Sequence, residues 1–492
     1  MLQKMKIIIS YVYILLCSSI MALFAQSNPF QTSFMGDSAV FVYVAKVILS
    51  GGMPYRDTFD HKGPLIYLFD ALGLLIDNRV GIWIVEFTVI FITFLFAYKI
   101  ARFLKCSQLL SCVVITIGFF VLLYYFQGGN LTEEYASVFI TVSLYYFLKF
   151  ITNCNIKKHQ IILTGSCFAA VCMLRANMIA CWLVLFMGIL LKCFSHKKYK
   201  LAARFIGWFV IGILIVFVPI TVWLCLNSSF GSFIEDYIIF NFIYSNTLAL
   251  SKFNAFLAFI STPPMLVSGT VLFYFCVKQS KKEDWLCLSA LFLSVVLAGI
   301  SGRKYGHYGM IFYPFIIYAT SRLFYECWLE ICMTKAKNKF SLKNIIIPVA
   351  IALCFSGCII YPIVTNIFNG NSTIILYPSD NIDSVENRKI IDVIQSITNE
   401  NDKISVVGND NSLYLLANRK SVSKYSYQYP IANIKHNIWE EYLNDIQTSP
   451  AKVIVLTPGA DQIYPYYGIK VITDKYYRLV SVVSKTEIYL LK

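Results

Sequence analysis

Long apolar runs constrain this chain more than any other feature. From the N-terminus to about Phe368 they recur at a length, about 17–25 residues, that crosses a bilayer as a helix. Of the 492 residues, 58% are hydrophobic and 14% are charged, against roughly 25% charged in an average soluble domain. In lipid every backbone polar group must find its partner within the segment, which helices achieve and irregular chain does not. The pattern therefore specifies an all-α polytopic membrane protein.

Eleven spans are expected, at about 7–25, 80–99, 109–126, 134–151, 160–175, 178–193, 204–226, 262–277, 285–300, 308–325 and 344–367. A tight turn near Arg175–Asn177 separates the fifth from the sixth. With the N-terminus in the cytoplasm, the cytoplasmic segments are Lys4/Lys6, Lys99–Lys105, Lys149–His159, Lys192–Arg204, Lys278–Asp284 and Arg322–Lys343. They hold 21 Lys and Arg, whereas the opposite connections before residue 370 hold eight. That asymmetry is the positive-inside rule. It accounts for most of the +15 net charge without nucleic acid, which binds basic patches on soluble faces. An odd number of spans leaves the C-terminal segment outside. Residues 7–25 also read as a cleavable signal, with a Lys-bearing start and small residues at Ala22–Ala25. The later topology is the same in either case.

The 15 cysteines all lie in or near apolar spans and cytoplasmic loops. They read as small buried hydrophobes, so the exported parts are expected to fold without disulfides. From Ser379 to Lys492 the chain turns polar. Short β-branched runs (Ile404–Val407, Lys452–Leu456, Leu479–Val483) alternate there with helical patterns at Ser384–Ser396 and Ile438–Asp445. This reads as an extracytoplasmic α/β domain, and it holds no glycine-rich nucleotide loop. The expected organisation is a membrane domain over 1–368, with a first outer loop at 26–79, followed by the α/β domain at 379–492. That domain is expected to cap the membrane part or help bind an acceptor.

Ionisable groups concentrate in the outer loops. Gly36 to Tyr67 holds Asp37, Asp57, Asp60 and His61 beside Lys46, Arg56 and Lys62. Asp37 precedes an apolar helix over Ser38–Leu49, where it reads either as a plain N-cap or as a carboxylate held at the membrane surface. Arg56, Asp57, Asp60 and Lys62 read either as mutual surface pairs or as part of a site. Glu133 and Glu134 open the fourth span, in a first turn where the helix dipole favours acids. Ser301 to Tyr308 brings Arg303, Lys304 and His307 to the same outer side, as a site or as cations snorkelling to headgroups. Arg175 adds a further cation.

Carboxylates and cations together on an outer membrane face suit transfer of a sugar from a polyprenyl phosphate. A carboxylate takes the proton of the acceptor hydroxyl, and Lys or Arg stabilises the departing phosphate. Nucleotide donors are cytoplasmic and find no loop here. A flippase or other transporter would place its polar groups at mid-membrane in repeated halves, and no repeat is evident. A lipid-linked oligosaccharide polymerase or ligase would want a later loop rich in Arg and His, yet Asn227–Ser261 offers only Glu235, Asp236 and Lys252 as charges.

On Gly36-Asp37-Ser38, Pro54–Tyr67, Glu133/Glu134 and Gly302–Tyr308, the chain resembles the bacterial C-type (GT-C) membrane glycosyltransferases. In particular it resembles the family 39-like group that includes protein O-mannosyltransferases and the lipid A aminoarabinose transferase. The resemblance implies an inverting transferase of the bacterial cytoplasmic membrane that uses a polyprenyl-phosphate sugar. Its acceptor is a glycan, lipid or protein, and no nucleic acid is a partner. By position, Asp37 is the catalytic base or orients the acceptor, while Asp60, Glu133 and Glu134 are further acidic site candidates. Lys62, Arg303, Lys304, His307 and Arg175 are the donor-phosphate candidates. Two departures stand out: Ser38 follows Asp37 where many relatives have Glu, and His61 separates Asp60 from Lys62. A divalent metal bridging Asp37, Glu133 or Glu134 to the phosphate occurs in some relatives and not in others, so metal use stays open.

Overall fold

The protein is described by a computed structural model over residues 2–31, 33–153, 157–246, 248–336, 343–368, 382–463 and 466–492. The boundary expected between 368 and 379 lies outside these residues, as do Lys337 and Lys339 of the basic loop. In chain order the first helices are α1 (Leu2–Ala22), α2 (Gly36–Leu49), α3 (Pro64–Ile76), α4 (Asn78–Phe103), α5 (Gln108–Phe126), α6 (Thr132–Asn153), α7 (Lys158–Cys172), α8 (Ala180–Ser195) and α9 (Tyr199–Leu226). Further apolar helices follow at Pro263–Gln279, Lys282–Gly299, Tyr313–Ala336 and Lys343–Phe368.

Each of the eleven expected spans thus coincides with a helix. Among the described residues, five are by themselves long and apolar enough to cross a membrane. A sixth joins them if Ala249–Ile260 and Pro263–Gln279, bent by 78° at Ser261–Thr262, form one span. The others fall short in length or apolarity over their described residues. The protein is multi-pass, and its architecture is helical with a small C-terminal sheet.

Local chemistry sets several helix ends. Pro64 occupies the start of α3 behind Gly63, where its missing N–H and fixed φ cost nothing. Ser107 caps α5, its hydroxyl accepting from Leu110 N at 3.2 Å. Past α5 the chain takes four consecutive left-handed residues, Gln127, Gly128, Gly129 and Asn130, with φ of 46°, 89°, 70° and 51°. Glycine tolerates that region freely, and at Gly129 a side chain is also excluded. A Cβ there would stand 2.5 Å from Glu86 Oε1.

The chain forms two compact units. The first comprises Met1–Ala25, Ile84–Pro219 and Thr247–Ile374, which hold most of the apolar helices. The second comprises Gln26–Trp83, Ile220–Asn246 and Ile375–Lys492. Its sheet has the order β2 (Lys420–Ser421), β1 (Lys403–Val407), β3 (Val453–Leu456), β5 (Thr486–Leu491), β4 (Tyr477–Val483). The β1 strand runs parallel to β2 and β3, and β5 is antiparallel to both β3 and β4. Central β3 is buried throughout, as a strand covered on both faces must be.

The segment between α1 and α3 is part of this unit's core. Tyr43 of α2 joins Ile394, Ile404, Tyr414, Val453 and Ile488 in one buried apolar cluster. Its ring lies 5.1 Å from that of Tyr414, and its hydroxyl accepts from Ser421 N at 2.9 Å. The near-continuous apolarity of α2 is explained by this packing, which buries Ser38 to Ala45.

Candidate active site

In the second unit, α2 and the turn before α3 bring Asp37, Asp60, His61 and Lys62 together. The N-cap of α2 is one of the two readings of Asp37, the other being a carboxylate held at the membrane surface. Asp37 lies inside the first turn, after Met35, which holds the N-cap position. Its Oδ2 sits 3.4 Å from Lys62 Nζ, with 47% of the Asp37 side chain exposed.

Lys62 is buried, and its Nζ lies 3.2 Å from His61 Nε2. An ammonium only donates, so Nε2 accepts and the neutral imidazole carries its proton on Nδ1. That nitrogen faces Tyr427 OH at 3.3 Å and Asp60 Oδ1 at 3.4 Å. The His61 ring stacks on Tyr244, centroid to centroid 5.3 Å. Asn241 Nδ2 donates to the His61 carbonyl at 2.6 Å. The residue that separates the acid from the lysine is thus the bridge between them.

Asp60 anchors the chain of contacts from within. It is buried, with Oδ1 accepting from His61 N (2.7 Å) and Tyr427 OH (2.8 Å), and Oδ2 accepting from Tyr67 OH (2.7 Å). Burial pushes its carboxyl above the usual carboxylate range, and Lys62, Tyr67 and Tyr427 pull it back. Tyr55 OH donates to the Lys62 carbonyl at 2.7 Å, which fixes the backbone under the ammonium. Together these contacts form a line from buried carboxylate through imidazole and ammonium to an exposed carboxylate.

Arg56 and Asp57 behave differently. They pair with each other at 2.7 Å on the surface. Arg56 also donates to the Asn227 carbonyl, while Asp57 Oδ2 accepts from Met53 N. These contacts close the turn and lie outside the line of contacts above. Beside it, Lys424 meets Asp236 Oδ2 at 3.3 Å. Burial lifts the Asp236 carboxyl to about 6, with Lys424 opposing.

The remaining candidates lie in the first unit. Glu133 is buried and pairs with Arg175 Nη1 at 2.5 Å, while Arg175 Nη2 donates to Tyr308 OH at 2.8 Å. The guanidinium also covers the Tyr308 ring at 4.1 Å. His307 Nδ1 lies 2.8 Å from Gln127 Oε1, and Tyr305 stacks on the imidazole. Arg303 is half-buried and Lys304 exposed. Glu134 is buried beside Glu86, and both carboxylates accept from the single Asn130 amide, at 2.8 and 2.5 Å.

Sequence reasoning did not single out Tyr427, Tyr67, Asn241, Lys424 or Glu86. Glu86 carried a signal, since an acid inside an apolar span is by default a functional or paired group. Tyr427 carried a weaker one, in the alternating Tyr425, Tyr427, Tyr429 of an otherwise polar stretch. As for a divalent ion, no three His, Cys, Asp or Glu among the described residues are grouped as its ligands would be.

The fold is similar to that of ArnT from Cupriavidus metallidurans. Against ArnT bound to undecaprenyl phosphate the identity is 11% and the TM-score 0.63, covering 98% of this chain and 97% of that one. Against apo ArnT the identity is 10% and the TM-score 0.61, with 97% of each chain covered. The archaeal oligosaccharyltransferase AglB from Archaeoglobus fulgidus, in complex with an inhibitory peptide and a dolichol-phosphate, is 12% identical with a TM-score of 0.50. That match covers 98% of this chain and 74% of AglB. The GT-C-like architecture expected from the sequence is the architecture found. No curated protein matches the chain by sequence. Residues 3–323 match the competence-induced Ccs4 N-terminal domain, and the chain belongs to that family.

Proposed function

We propose that the protein is a membrane glycosyltransferase that moves a sugar from a polyprenyl-phosphate donor to an acceptor hydroxyl at the outer face of the cytoplasmic membrane. The observation that carries this reading is the pairing of exposed Asp37 with buried Lys62, backed by His61 and Asp60, on a fold like that of ArnT. ArnT was solved with undecaprenyl phosphate, which supports a lipid-phosphate ligand of the same class here.

Asp37 takes the proton of the acceptor hydroxyl as its oxygen attacks the anomeric carbon. The sugar–phosphate C–O bond breaks with inversion, and its electron pair leaves on the polyprenyl phosphate. The donor is a phosphodiester and the product a monoester, so negative charge grows on the phosphate as the bond breaks. Lys62 then binds the leaving group more strongly than the donor, which is the condition for catalysis rather than mere binding. Arg303, Lys304 and His307 are proposed as further phosphate-binding groups. Arg175, already donating to Glu133 and Tyr308, is proposed for the same role through its remaining N–H donors. Asp60, Glu133 and Glu134 act as acids that hold cations or loops in place.

Transfer of a whole lipid-linked oligosaccharide is the second reading, favoured by the likeness to AglB. Mass spectrometry of cell-envelope glycans with and without the gene distinguishes the two. Loss of one sugar decoration supports the first reading, loss of an entire glycan chain supports the second, and unchanged envelopes overturn both.

A further inference from the structure

Away from these acids and cations, the first unit holds a cavity of about 840 Å³ where the start of α1, the end of α4 and the start of α5 meet. Its wall includes Lys6 from α1, Arg102 from the last turn of α4, and Ser107 and Gln108 at the head of α5. Ile9 and Leu109 form the apolar part of the same wall. Both are exposed, Leu109 at 76%. The two cations thus come from different helices and share one hollow with outward-facing apolar side chains.

Three details make the hollow an anion receptor rather than two cations reaching for solvent. Arg102 donates through Nη1 to the Cys106 carbonyl, which folds its guanidinium over the turn between α4 and α5 and leaves the rest of its fork for a ligand. The Ser107 hydroxyl accepts from Leu110 N and keeps its own proton to donate. The head of the 19-residue helix α5 adds the positive end of its dipole. Positive charge and donors beside exposed aliphatic groups, at one end of three membrane helices, match an amphiphile with an anionic head.

We propose that this cavity binds the phosphate of an anionic glycerophospholipid, with its acyl chains along Ile9 and Leu109. In the orientation that charge placement implies, the lipid belongs to the cytoplasmic leaflet. The site is independent of the proposed glycosyl transfer and stands or falls separately from it.

The test uses the full-length protein in nanodiscs of phosphatidylcholine containing a minor share of phosphatidylglycerol, with retained lipid counted by native mass spectrometry. The wild type is expected to retain phosphatidylglycerol in preference to phosphatidylcholine. The double variant Lys6→Ala/Arg102→Ala is expected to lose about thirty-fold of that preference, and either single Gln variant about fivefold. The singles decide the matter if the double variant melts abnormally in phosphatidylcholine alone. Inorganic phosphate and glycerol phosphate at millimolar concentration are expected not to displace the lipid. Equal displacement by free phosphate would make this a soluble-anion site and overturn the proposal. An equal loss in the control pair Lys197→Ala/Lys198→Ala, or full retention in the variants, would reduce it to general attraction to an anionic surface and overturn it as well.

Discussion

The Asp37 carboxylate lies 3.4 Å from the Lys62 ammonium, so the group proposed to accept a proton is paired with the group proposed to meet the phosphate. Nearly half of the Asp37 side chain is exposed while Lys62 is buried, so solvent screens the carboxylate more than the ammonium. A phosphate that gains charge during transfer can therefore draw Lys62 away and leave the carboxylate free to act as a base.

Asp37→Asn is expected to lower transfer by at least about 100-fold, the usual share of a general base. Membrane insertion should persist. The assay is sugar transfer in membranes supplied with lipid-phosphate sugar, alongside thermal melting. Undiminished transfer removes Asp37 from the chemistry.

Tyr427→Phe removes one of the donors to buried Asp60. An under-satisfied buried carboxylate costs about 1–3 kcal/mol. The lost donor favoured the charged form, so the Asp60 carboxyl moves further up from its already raised position. A raised carboxyl contributes stability at low pH that is lost as pH rises. The variant should therefore melt lower than wild type at pH 7 and recover part of the gap at pH 5. A gap independent of pH would separate the Tyr427 hydroxyl from Asp60.

Asp236→Asn tests the raised carboxyl beside Lys424. The wild-type group titrates near 6 in the fold against 3.8 ordinarily. Its contribution is full below about 3.8 and disappears as pH rises through about 6. Wild-type protein should gain melting temperature between pH 7 and pH 5, by an amount worth on the order of 1–3 kcal/mol. In the variant that slope should flatten, and an identical slope would place the titration elsewhere.

Gly129→Ala introduces a Cβ 2.5 Å from Glu86 Oε1 at a φ of 70°. The left-handed conformation alone costs roughly 1–2 kcal/mol for a residue with a side chain, and the displaced carboxylate adds to it. A loss of about 2 kcal/mol or more in thermal or denaturant unfolding is expected, whereas Gly231→Ala, where a Cβ meets nothing within 4 Å, should show little. If both variants melt alike, the left-handed turn does not hold Glu86.

Much of this architecture is legible in the chain. Apolar length alone located the apolar helices, because lipid offers no partner to an unpaired amide and each helix must satisfy itself locally. The β-branched runs of Ile404–Val407 and Lys452–Leu456 announced central strands for a similarly local reason, since buried strands need side chains that pack on both faces. Asp37 and Lys62 were legible as a charged pair of residues in a greasy loop. Their contact was not, because it depends on how α2 packs against α3.

What residue order determined by itself was therefore the set of helices and the presence of ionisable groups where an apolar protein does not need them. Tertiary structure decided the roles of those groups. Tyr427 reaches Asp60 across 367 positions of sequence, and Tyr43 anchors α2 to the sheet through Ser421, 378 positions away. Periodicity and propensity act within a few turns of chain, whereas the charge state of Asp60, the tautomer of His61 and the partner of Asp37 are set by groups that only folding brings within hydrogen-bonding distance.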